Sequence, residues 1–84
     1  MARFPIWWEW EIELPYHILQ RMTDRKFNEV DLRAMLDDAT GLREDYMDGR
    51  WIISTRLHHK RWEVIVEPVP EDRVLLVITA YPVD

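Results

Sequence analysis

The spacing of apolar side chains changes period twice along this chain, from two residues to about 3.6 and back to two, and that order leaves few folds open. Ile6, Trp8, Trp10, Ile12 and Leu14 alternate with Trp7, Glu9, Glu11 and Glu13. This predicts a strand over residues 6–14 with one buried face. The glutamates on its other face suit an edge strand, where like charges discourage pairing with another chain. Trp7 interrupts that acidic face; it is either covered by the N-terminal arm or marks a contact surface. Pro15 then fits the first turn of a helix. Ile18, Leu19 and Met22 form one side of it over residues 16–25, and His17, Arg21 and Arg25 form a basic stripe on another. Asn28 predicts the N-cap of a second helix, with Asp31 placed as the acid of a capping box. Leu32, Met35, Leu36 and Ala39 supply its apolar face, and Gly41 is expected to stop it.

Past Asp48-Gly49 the period returns to two. Trp51 to Leu57, Trp62 to Glu67 and Val74 to Ala80 read as three strands joined by short links, hence an antiparallel meander. The last run is apolar on both faces, as a central strand would be. The expected architecture is α+β in the order β-α-α-β-β-β, two helices packed on one face of a four-stranded, mainly antiparallel sheet. With 84 residues, residues 1–84 make a single domain. A chain this short needs a dense core, which 48% apolar residues and five Trp supply. There is no Cys, so neither a disulfide framework nor a thiolate metal site is available. The apolar start runs directly into Glu9, Glu11 and Glu13. That is neither a signal peptide nor a membrane span, so a soluble cytoplasmic domain is expected.

Charge narrows the function. The net charge of −5 and isoelectric point near 5.1 exclude a non-specific coat for nucleic acid. Segment 49–62 nevertheless holds Arg50, Arg56, Lys60 and Arg61 with His58 and His59, and no acid. A local basic site on an acidic body remains. Adjacent histidines on a strand point to opposite faces, and no His-x-x-x-His pair exists, so no metal or other cofactor is expected.

Two stretches carry a resemblance. His17-x-x-x-Arg21-Met22-x-x-Arg25, followed by a capped second helix, and the strand ending Val77-Ile78-Thr79-Ala80-Tyr81 resemble a family of small bacterial proteins. That family shares an H-x-x-x-R-M-x-x-R helix and a V-x-T-x-Y strand end, and is grouped with the RelE/ParE-like toxins. The β-α-α-β-β-β order is similar to that fold. The resemblance implies a toxin-like endoribonuclease acting on RNA, with a small antitoxin as its protein partner.

Cleaving RNA without a metal requires a base for the 2′-hydroxyl, cations for the phosphorane and an acid for the leaving oxygen. The catalytic candidates are His17, whose side-chain type exchanges protons near neutral pH, Arg21 and Arg56 for the phosphate, and Tyr81 as proton donor or stacking ring. Arg21 has a second reading as the partner of a glutamate. Arg56 joins the group if its side chain faces the first helix. Arg25, Thr79 (on Tyr81's face by parity), His58, Lys60 and Arg61 are the RNA-binding candidates; the residues at 58–61 equally read as a solvated turn. The alternative is a non-catalytic interaction module, or a gyrase-type toxin relative. Either binds a protein partner through the acidic edge at Trp7, Glu9 and Glu11.

Overall fold

A computed structural model describes residues 5–83. The chain forms strand β1 (Glu11–Glu13), helices α1 (Tyr16–Arg25) and α2 (Glu29–Asp37), and strands β2 (Gly41–Glu44), β3 (Trp51–Leu57), β4 (Lys60–Val69) and β5 (Val74–Pro82). The strands make one mixed five-stranded sheet in the order β1-β5-β4-β3-β2. β1 runs parallel to β5, and every other neighbouring pair is antiparallel. The α+β class and the meander agree with the sequence. The four-stranded count does not.

Both differences have local causes. The expected strand over 6–14 is reduced to three residues because Ile6–Glu9 coil into a 3-10 turn, with the Trp8 amide bonded to the Pro5 carbonyl. The turn breaks the period of two and rotates Trp7 inward. Trp7 is only 8% exposed, its ring centroid 5.9 Å from that of Trp51 and 5.7 Å from that of Trp8. It therefore belongs to the core rather than to an acidic outer face; the N-terminal arm suggested as its cover lies outside the described residues. The additional strand, β2, hides in what reads as a polar connection because Leu42 is its one large apolar residue. Its pairing with β3 does the work: Gly41 faces Ser54 and Glu44 faces Trp51. Gly41 thus opens a strand, and α2 stops earlier, at Asp37.

The helices form as their caps dictate. Asn28 and Asp31 complete a reciprocal capping box, satisfying two amides at the start of α2. At its other end the hydroxyl of buried Thr55 on β3 donates to the Met35 carbonyl, one of those left without an intrahelical partner by the end of the helix. α1 ends on Lys26 in the left-handed conformation (φ 57°), and the Phe27 amide bonds back to the Met22 carbonyl.

Both helices cover one face of the sheet. Ile18, Phe27, Leu32, Met35, Ile53, Val64, Val66, Leu75 and Val77 form one continuous core there, and Phe27 meets Trp62 edge to face at 5.3 Å. Leu19, expected on the apolar side of α1, is 46% exposed. Between Val77 and Thr79 the β4–β5 register slips by one residue, with Ile65 facing Thr79 and Val66 facing Val77. This bulge inverts the alternation of β5, so that Ala80 rather than Thr79 continues the buried row. No element among the described residues covers the other sheet face, referred to below as the open face.

Candidate functional site

The basic stripe of α1 is drawn to the rim of β5. β1 pairs only with Val74–Leu76, so the rest of β5 would present unpaired backbone on that side. His17 Nε2 lies 2.6 Å from the Ile78 carbonyl oxygen, the residue inserted at the bulge. Arg25 donates to the Ala80 carbonyl at 2.8 Å and to Thr79 Oγ1 at 3.3 Å. These two side chains do what a longer β1 would have done. Arg21 points elsewhere, 3.8 Å from Asp24 on its own helix, with both side chains more than half exposed.

The open face gathers a different set. Cross-strand neighbours share a face, so the pairs Glu63–Tyr81, Ser54–Glu63 and Arg56–Arg61 place five side chains together on it. Glu63 is the centre. Its carboxylate accepts from Tyr81 Oη at 2.8 Å through one oxygen and from Arg43 Nη2 at 2.8 Å through the other. Arg43 also donates to Ser54 Oγ at 3.3 Å. The hydrogen bond from Arg43, then that from Tyr81, holds the Glu63 carboxyl below its ordinary range. Burial first, and then the bond to Glu63, pushes the Tyr81 phenol up, so it stays protonated. The Arg43 guanidinium is held in its charged form by the Glu63 bond.

Beside this cluster lies a cleft of about 370 Å³, lined among others by Thr40, Ser54, Arg56, Arg61, Glu63 and Val83. Arg56 and Arg61 face each other across β3 and β4 and are exposed. Arg56 makes no side-chain hydrogen bond or ion pair among the described residues, so its donors are available to a ligand. At the end of the same hairpin, His58 and His59 alone form the turn, with Lys60 opening β4.

The proposed residues thus fall into separate groups. Arg56, Arg61 and Tyr81 come together on the open face. His17, Arg25 and Thr79 meet at the β5 rim. Arg56 faces away from α1, because its neighbours Thr55 and Leu57 are the buried residues of β3 and Arg56 lies between them. His17 and Arg56 therefore do not converge. Glu11 is exposed on the edge strand β1, Glu9 is exposed in the 3-10 turn before it rather than on the strand, and Trp7 is buried away from both. Sequence reasoning missed Glu63, Arg43 and Ser54; the one signal was the parity of Glu63 within β4, and its partners follow only from the strand register.

Among the described residues no group of acids and histidines is arranged to hold a metal ion, and no helix is long and apolar enough to cross a membrane. The class defined so far is a two-layer α+β domain in which one sheet face, uncovered by any described element, carries an arginine-rich cleft. Comparison with protein-family models, curated proteins and solved structures gave no match, so the functional reading rests on this geometry.

Proposed function

We propose that this chain is a toxin-like endoribonuclease that works on the open face of its sheet, controlled by a small antitoxin protein. The observation supporting it is the placement of Arg56 and Arg61 opposite one another, beside a carboxylate that is hydrogen-bonded to a protonated phenol. Paired guanidinium groups suit a phosphodiester and the charge that develops on it. Glu63 takes the proton of the 2′-hydroxyl while that oxygen bonds to phosphorus. The bond from phosphorus to the 5′-oxygen breaks, and Tyr81 protonates the departing oxygen. Glu63 then returns its proton to Tyr81 along the bond that joins them. The products are a 2′,3′-cyclic phosphate and a free 5′-hydroxyl. In this reading His17 and Arg25 are positioning residues that fix the strand bearing Tyr81, and Arg21 lies outside the reaction.

The test is incubation of the purified chain with end-labelled single-stranded RNA in the presence of a chelator. Cleavage leaving cyclic phosphate ends is expected. Arg56→Ala and Arg61→Ala should each slow it on the order of a hundredfold with an unchanged circular dichroism spectrum, and Tyr81→Phe should slow it as well. RNA left intact by the wild type, or cut equally well by both arginine variants, overturns the proposal.

A second reading draws on the acidic edge, where Glu9 and Glu11 remain exposed: a protein partner docks there without chemistry. A partner released by Glu9→Lys with Glu11→Lys, from a chain that cuts no RNA, selects that reading.

A further inference from the structure

The β3–β4 hairpin turns on two residues that pay no obvious structural dividend. His58 has φ 51° and His59 φ 67°. A two-residue turn with both central residues at positive φ favours Asn-Gly or Asp-Gly, which reach that region at less steric cost. Side chains with a full Cβ in such a conformation are retained where the surroundings compensate or where function selects them. Here the surroundings offer no such compensation: both histidines are exposed, and neither side chain has a hydrogen bond among the described residues. What they do have is position. From the facing pair Arg56 and Arg61, two steps along each strand lead to the turn, a distance of about 7 Å at the usual rise of a strand. Residues 56–61 contain no acid, and Lys60 stands beside the turn.

We infer that the His58-His59 turn, with Lys60, is a second phosphate subsite, which takes the nucleotide next to the one held between Arg56 and Arg61. The inference rests on the cleft being a phosphodiester site and adds to it the length of the ligand. A mononucleotide fills the cleft alone, whereas a single strand continues over the hairpin tip. Imidazole N–H groups and the Lys60 ammonium donate to its phosphate oxygens, and the ring faces are open to its bases.

The geometry also provides a variant that improves the fold while removing the subsite. His58→Asn with His59→Gly installs the residues that this turn favours, so the thermal midpoint should rise by several degrees. Binding is measured with uridine monophosphate and with a 2′-O-methyl oligouridylate, which lacks the nucleophilic hydroxyl. The double variant should bind the mononucleotide as the wild type does and the oligonucleotide about tenfold more weakly. Lys60→Gln should lower the salt dependence of oligonucleotide binding by about 0.7 in the slope of log K against log salt. Unchanged oligonucleotide affinity in the double variant overturns the subsite and leaves the cleft standing. Equal weakening for both ligands also overturns it, since the turn would then act through the cleft. A wild-type chain that binds neither ligand overturns the subsite together with the cleft.

Discussion

Glu63 accepts hydrogen bonds from residues on two other strands, and its ionisation is tied to folding for that reason. Its folded-state carboxyl titrates below the unfolded one, so the unfolded chain binds more protons in the acid range. The stability it contributes is full above about pH 5 and is lost as pH falls through and below the ordinary glutamate value of about 4.3. Tyr81 has the opposite sign: its folded-state phenol titrates higher, so its contribution is full below about pH 9 and is lost as pH rises past about 10. Melting curves of wild type, Glu63→Gln and Tyr81→Phe should show each variant about 1 kcal/mol less stable at neutral pH. The gap to Glu63→Gln should close in acid and the gap to Tyr81→Phe in alkali. Gaps that stay constant with pH would dissociate both groups from the hydrogen bonds seen here. At this scale the sequence was informative about residue type and blind to partnership. Tyr81 and the arginines stand out as chemistry-bearing residues, but nothing within reach of Tyr81 in the chain indicates that Glu63, eighteen positions earlier, accepts its hydrogen bond.

The elements are held in register by polar contacts at their ends as well as by the core. α1 covers the part of β5 that β1 is too short to reach, through His17 and Arg25, and α2 is fastened to β3 by Thr55. Arg25→Met keeps the length of the stem but returns the Ala80 carbonyl to water, at a cost of about 1–2 kcal/mol. Amide hydrogen exchange should accelerate first along residues 77–82, with the β3–β4 pairing little affected. Uniform acceleration across the sheet would mean that α1 does not guard this edge. The basic stripe of α1 is a signal that sequence and structure read differently. A histidine and two arginines at helical spacing look like a ligand site in one dimension. Two of them turn out to serve a strand edge, because a helix packed beside an incompletely paired strand can reach its outward carbonyls.

For the whole molecule the 3-10 turn before β1 is decisive, since it carries Trp7 into the core shared by both helices and the sheet. Trp7→Ala removes a buried aromatic from a small core and should cost about 3–5 kcal/mol, read as a lower denaturant midpoint with a similar slope. A loss under 1 kcal/mol would place Trp7 outside the core. That substitution therefore cannot serve as a probe of partner binding at the edge, whereas Glu9 and Glu11 can. The sequence by itself determined the class of fold, the two helices with the capping box of the second, and the three long strands, because these depend on periodicity and on capping residues only a few positions apart. It could not determine β2, the parallel attachment of β1, the bulge at Ile78 or the gathering of Arg43, Arg56, Arg61, Glu63 and Tyr81 on one face. Those follow from strand register, which is settled by packing between residues distant in the chain, and a shift of one residue in any one strand would send that strand's members of the cluster to the opposite face.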